Sequence, residues 1–456
     1  MMKNKIYTLA VALVIYSIGS SAQEIKKSDT IRLNQYGQEV NFKSLNAESQ
    51  EGILRFTSDD KSYSIWLDNR VQFDGAFFSN DVYNPIGNGA SIRRARFGIK
   101  AIFWTNWYGE IDLDFAGSAV ELKDAYVKYT VDADNFSIKA GHFKEGFGME
   151  TTTTSRYLTF IERALSSKLD PSRHLGVQVN HWTDKYNLIG GLHFNTIGDL
   201  EEVTFSQDAN KDFGVDEGYS FTGRAVFRPI FDDEKVLHLG VAGSYRTPKT
   251  TEEVIGAYRF STRSISTINR RKYIDTDDIL NVDHNTMLGL ELAGAYKGFM
   301  FQSEYKTVDV NREGDLATMN INGYYVQAGY LLFGGKYNYN SADAEFTRIE
   351  RGKDYGDLEI ALKYDFVDAN DAKAEIYGGS AEAYTVGLNY HFNPNVKFMV
   401  NYVYNNLDRY ANGKGKLFVG HDIDGNLTKD PVKVVETKGN AGDDFGMLAF
   451  RIEVDF

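Results

Sequence analysis

From Ser62 to Phe456 the chain repeatedly sets apolar or aromatic side chains at every second position, and this alternation limits its fold more than any other feature. In the first such segment Tyr63, Ile65, Leu67, Val71, Phe73 and Phe77 share one face. Ser64, Asp68, Arg70, Gln72 and Asp74 share the other, with Trp66 and Asn69 as exceptions. A period of two is that of a β-strand whose faces meet different solvents. The second segment sets Ala95, Phe97, Ile99, Ala101 and Phe103 against Arg94, Arg96 and Lys100. After Thr105-Asn106 the third sets Trp107, Ile111, Leu113 and Phe115 against Glu110, Asp112 and Asp114, completing a hairpin. The same reading predicts strands near 121–130, 136–142, 174–182, 186–195, 218–228, 236–246, 285–296, 299–310, 320–333, 356–366, 381–391, 396–406 and 444–456, sixteen in all.

After residue 22 no apolar run approaches the roughly 20 residues that a spanning helix needs, and mean hydropathy is −0.39. A membrane barrel hides its hydrophobicity by alternation and fits both facts. The 14% aromatic content and 42 glycines against 6 prolines suit aromatic girdles and many turns. The expected fold is therefore all-β, a transmembrane antiparallel barrel of about sixteen strands with short periplasmic turns and long external loops. Short connections fall at 105–106, 131–135, 183–185, 297–298 and 393–395, and long ones at 143–173, 196–217, 247–284 and 407–443. The segment 334–355 breaks this parity, because it puts 22 residues where a short turn belongs. Either it folds into the lumen or a hairpin hides within it.

Lys3 and Lys5, the apolar run from Ile6 to Ile18 and the small residues Gly19 to Ala22 read as a signal peptide, residues 1–22, cleaved after Ala22. Residues 23–61 are then a periplasmic lead-in too short for a plug, and 62–456 the barrel. The 434 residues left cannot supply a plug and about 22 strands, which excludes an energised receptor. There is no cysteine, hence no disulfide, lipid-anchored cysteine or thiolate site. The net charge of −13 becomes −15 without Lys3 and Lys5, which disfavours nucleic acid. The histidines are scattered with no metal-binding spacing, and no Gly-x-Ser-x-Gly nucleophile occurs, so neither cofactor, metal nor enzymatic activity is expected. Asp422-Ile-Asp-Gly-Asn426 lacks calcium-loop spacing and reads as a polar turn.

Ser91-Ile-Arg-Arg-Ala-Arg-Phe97, Gly141-His-Phe-Lys-Glu-Gly-Phe-Gly-Met149 and Thr154-Ser-Arg-Tyr-Leu-Thr-Phe-Ile-Glu-Arg-Ala164 resemble the phosphate-selective porin O and P family. Gly323 to Tyr330 and Asn393 to Tyr402 extend the resemblance over most of the chain. It implies a sixteen-stranded outer-membrane porin, trimeric, with an inward loop at the constriction and arginines along an anion path. The terminal strand, with Phe450, Ile452, Val454 and Phe456 on one face, resembles the assembly signal of outer-membrane barrels. The partners expected are outer-membrane lipid and lipopolysaccharide, the barrel-assembly machinery, small anionic solutes and two further copies of the chain.

Candidates for the anion path are Arg70, Arg94, Arg96 and Lys100 on the inner wall and Arg156 and Arg163 on the loop 143–173. That loop is also expected to carry a helix around 157–165 that buries Leu158, Ile161 and Leu165. A third group is Arg259, Arg263, Arg270 and Arg271, within an acid-free segment 256–273. Guanidinium suits phosphate because it stays charged and donates in a planar fork. The irregular spacing of the third group departs from a regular arginine ladder, and a basic loop binding lipopolysaccharide phosphates is its rival reading. Two other functions stay open: a weakly selective general or oligosaccharide porin, given the abundant tyrosines, and a closed structural or adhesive barrel.

Overall fold

The computed structural model describes residues 33–40, 43–50, 52–79, 83–117, 119–197, 216–250, 256–435 and 441–456. The expected signal peptide lies outside them. The part of the chain up to Ser44 forms a unit of its own, described only by a turn in which the Asn34 side chain accepts from the backbone N–H groups of Tyr36 and Gln38.

Sixteen strands close into one antiparallel barrel. They are β1 (Ser64–Phe78), β2 (Gly89–Phe103), β3 (Trp107–Asp114), β4 (Glu121–Val131), β5 (Phe136–Lys144), β6 (Arg173–Trp182), β7 (Tyr186–His193) and β8 (Ser220–Phe231), followed by β9 (Lys235–Arg246), β10 (Val282–Tyr296), β11 (Phe299–Arg312), β12 (Met319–Leu331), β13 (Asp357–Asp371), β14 (Ile376–His391), β15 (Val396–Leu407) and β16 (Phe445–Asp455). Each pairs with its neighbour in sequence, and closure comes where β16 lies against β1, from Met447↔Phe78 to Asp455↔Arg70. Closure removes the sheet edges that hydrocarbon cannot tolerate.

The apolar face points outward. Leu67 and Phe73 on β1, Leu288 and Leu290 on β10, and Leu448 and Ile452 on β16 are exposed, whereas Asp68, Arg70, Arg451 and Glu453 are buried. Apolar outside and charged inside is the inversion demanded when the outer solvent is lipid and the inner one water. At the end with the short turns Trp104, Trp107, Tyr186, Tyr296, Phe299 and Phe392 are exposed, as in an interfacial aromatic girdle.

Two departures from strict alternation matter. Between β1 and β2 the register slips, so that Arg94 opposes Gln72 while Ile92 opposes Phe73. Arg93 is the extra residue of this β-bulge, and it turns inward to Glu162. The lead-in also holds a hairpin that alternation alone did not reveal, Leu45–Gln50 with Ile53–Ser58, whose second strand continues the sheet on β1 from Arg55↔Trp66 to Thr57↔Ser64.

Leu290 stands on the lipid face near the middle of β10. Leu290→Arg is expected to destabilise the barrel by about 2–4 kcal/mol, read from urea unfolding in lipid vesicles.

Candidate anion pathway

Two connections enter the lumen, one from each end. The first joins β5 to β6 through residues 145–172. It contains a single-turn helix, α1 (Met149–Thr152), and 3-10 turns at Ser155–Tyr157 and Leu165–Lys168. The helix expected around 157–165 does not form. Wall side chains take its backbone polar groups instead: Asn389 donates to the Thr159 carbonyl at 2.7 Å, Arg451 to that of Ile161 at 2.6 Å and Lys363 to that of Glu162 at 3.0 Å. The Ile161 N–H donates to Asn401. Backbone bonds satisfied by the wall leave nothing for a helix to gain. Leu158, Ile161 and Leu165 are nonetheless buried.

Charge pins the same loop. Glu162 accepts from Arg93 at 2.5 Å and from Arg451 at 3.3 Å, while Arg451 clamps Asp74 with two bonds of 2.7 and 2.8 Å. Burial opposes the charge of Glu162, yet these arginines hold its carboxyl well below the usual carboxylate range. Asp170 meets Lys306 at 2.5 Å, and Glu304 accepts from the N–H groups of Met149 and Glu150. These anchors lie on β1, β2, β11 and β13–β16, so the loop leans to that side and leaves space along β2–β6.

The second inward connection is 332–356, the segment that broke the parity. It folds into the lumen and adds no wall strand, although it does carry a two-residue-a-side hairpin, Tyr339–Asn340 with Glu345–Phe346. Asn180 and Asn187 donate to its Ala342 carbonyl at 2.8 and 2.7 Å, and Arg224 to its Ala344 carbonyl at 2.9 Å. Tyr337 and Phe346 pack with Met149 of the first loop, and the Glu345 carboxylate reaches Thr152. The two loops therefore meet and narrow the lumen between them.

What remains open beside them is a cavity of about 660 Å³. All six inner candidates, Arg70, Arg94, Arg96, Lys100, Arg156 and Arg163, line it. So do Lys128, Lys139, Lys144, Arg173 and Arg224, which were not selected from sequence; Arg224 lies on the inward period of its strand and was legible there. Eleven basic side chains thus face six acidic ones, Asp68, Glu110, Asp112, Asp124, Asp343 and Glu345, an excess of five.

Several of these cations are spent on neighbours. Arg96 pairs with Asp112 and Asp114 at 3.3 and 3.2 Å, Arg173 with Asp124 at 2.7 Å, Arg70 with Asp455 at 3.4 Å, and Lys100 and Arg156 with Asp68. Others are not. Arg94 donates to the neutral Gln72 oxygen at 2.6 Å, Arg163 to the carbonyls of Glu150 and Thr153, and Lys144 to those of Thr151, Thr152 and Thr153. Lys128 and Lys139 face each other directly across β4 and β5, and neither has a carboxylate within 4 Å among the described residues. Glu110, Asp112 and Asp124 bring carboxylate oxygens within 4.8 Å of one another, but Arg96 and Arg173 already neutralise two of the three.

The external candidates lie elsewhere. Arg259 pairs with Asp275 at 2.6 Å, Arg271 donates to the carbonyls of Asn84 and Pro85, and Arg270 lines a small outer cavity beside it. Arg263 borders a cavity of about 330 Å³ with Arg93, Lys168 and Lys272. None of the four lines the central cavity; Arg259, Arg270 and Arg271 lie outside it, whereas Arg263 shares its cavity with Glu162 and Arg163 of the first inward loop. Phe260, Ile265, Tyr273 and Ile274 hold the basic segment in place by joining an apolar cluster with Leu407 and Phe445.

A family model described as phosphate-selective porin O and P matches residues 65–424. The chain belongs to that family. Porin O of Pseudomonas aeruginosa is 26% identical over 412 residues, covering 83% of this chain and 90% of that protein. An uncharacterized protein of Caulobacter vibrioides is 26% identical over 366 residues, 77% of this chain and 70% of its own length. In-vitro folded OmpT of Vibrio cholerae shares the barrel fold with a TM-score of 0.50 at 11% identity, covering 87% of this chain and 98% of that one. Family and fold together make this a porin, a channel of the outer membrane.

Burial and neighbouring Asp343 push the Glu345 carboxyl up to about 7. A raised carboxyl pKa means that the group is neutral below that pH and charged above it. Anion preference is therefore expected to rise as pH falls from 8 to 6, measured by reversal potential in a planar bilayer. Glu345→Gln is expected to lose that step and to behave at pH 8 as the parent does at pH 6.

Proposed function

We propose that this porin passes small anions, phosphate-like oxyanions among them, by passive diffusion through the cavity beside the inward loops. The observation that carries the reading is the basic excess of the lumen within a chain of net charge −13. Selectivity follows the groups at the narrow part of a pore and not the total charge. Cations already matched to carboxylates contribute little net field, so Arg94, Arg163, Lys128, Lys139 and Lys144 carry the preference. Arg94 adds the planar donor fork that suits a tetrahedral oxyanion.

Further parts of the reading rest on resemblance and on local pattern. Residues 1–22 act as a signal peptide removed after Ala22. The outward Ile452 and Phe456 with Phe450 and Val454 present the terminal strand to the barrel-assembly machinery, and the outer basic segment with Arg259, Arg270 and Arg271 faces lipopolysaccharide. A solved OmpT of Vibrio cholerae takes a trimer form, and a homotrimer is the proposed assembly here.

One unit charge in a wet lumen is worth on the order of 1 kcal/mol to a passing ion, hence about fivefold in preference. Arg94→Gln is expected to lower the anion-to-cation permeability ratio by about that factor, read from reversal potentials in a potassium chloride gradient. Replacing Arg259, Arg263, Arg270 and Arg271 together by alanine is expected to leave the ratio unchanged. Cation selectivity of the parent channel would overturn the reading.

A further inference from the structure

We propose that the wall beneath the unpaired lysines is a subsite for phosphate esters whose organic part is a ring; this rests on the anion-channel reading above. Four aromatic rings stand in series inside the barrel, on β1, β3, β4 and β5. Ring centroids are 6.1 Å apart from Trp66 to Tyr108, 5.8 Å from Tyr108 to Tyr126 and 5.9 Å from Tyr126 to Phe143. Trp66 borders the periplasmic exit with Arg156 and Arg348, and the other three rings line the central cavity.

The cations sit on this series. The Lys128 ammonium lies 5.3 Å from the Tyr108 centroid, and that of Lys139 lies 4.9 Å from Tyr126 and 5.0 Å from Phe143. Both tyrosine hydroxyls donate to Glu110, at 2.6 and 2.9 Å, which fixes the two rings before any solute arrives. Outward aromatics are explained by the lipid interface. The partly exposed inward rings of Trp66, Tyr108 and Tyr126 are not, since aromatic surface facing a watery lumen forfeits hydrophobic stabilisation, whereas Phe143 is buried behind them. Like charges directly opposed across strands are destabilising as well.

One kind of solute relieves both. An oxyanion placed between Lys128 and Lys139 neutralises the opposed ammonium groups, while a ring attached to it covers the tyrosine faces. Inorganic phosphate satisfies the lysines alone. No bond is made or broken, so the subsite sorts solutes and does not transform them.

The test is block of chloride current through the full-length porin in a planar bilayer, comparing inorganic phosphate with phenyl phosphate. Ring contact is worth about 0.5–1.5 kcal/mol, so phenyl phosphate is expected to reach half-block at a concentration roughly two- to twelvefold lower. The double variant Tyr108→Leu, Tyr126→Leu should lose that advantage and keep block by inorganic phosphate, and the double variant to Phe should keep the advantage. Equal half-block by both anions in the parent, or an advantage that survives the leucine variant, overturns the proposal and leaves the anion channel standing. Block by neither overturns the subsite, and the reversal potential of the parent then decides the anion channel separately. If the leucine variant fails to show heat-modifiable gel migration, the parent and the phenylalanine variant still decide the matter.

Discussion

The structure depends on one constraint, that hydrocarbon offers no partner for a backbone N–H or carbonyl. Sixteen strands meet it by pairing in sequence and then joining β16 to β1. Closure then divides the side chains into two populations by parity alone. Those facing out must dissolve in lipid, and those facing in share a confined, wet space. The charged residues of every strand are thereby gathered around one lumen, far closer together than on the surface of a soluble domain.

That crowding explains how the inward loops are held. The segment 145–172 has little regular structure of its own, and most of its order is borrowed from wall residues such as Asn389, Asn401, Arg451, Lys306 and Asp365. Buried ion pairs are poor sources of net stability, but breaking one leaves a charge that the lumen cannot readily solvate. Such pairs therefore fix where the loop sits more than they strengthen the barrel. With one side of the lumen taken up in anchoring, the open side holds more cations than its carboxylates match, and Lys128 and Lys139 are left without a carboxylate partner among the described residues.

The barrel was legible because its signal is a simple period repeated sixteen times, with loop lengths that keep parity everywhere but at 334–355. The inner candidates were legible for the same reason: Arg70, Arg94, Arg96 and Lys100 obey the inward period. Arg93 was not, because a bulge adds a residue and sends two consecutive arginines inward, which strict alternation cannot anticipate. The segment 334–355 showed itself only as a violation of parity, since nothing in its composition says that Asn180, Asn187 and Arg224 wait for its carbonyls. The run Arg259 to Arg271 does not line the central cavity, which its composition could not say, because clustered charge in sequence says nothing of height along a barrel axis. The hairpin before β1 was too short and mixed for its period to stand out.

The central claim is that selectivity resides in lumen cations left without carboxylates. Anomalous diffraction from crystals of the porin soaked in bromide tests it most directly. Bromide is expected beside Arg94 and between Lys128 and Lys139. Bromide confined to the outer segment around Arg259, Arg270 and Arg271, with none in the lumen, would contradict it.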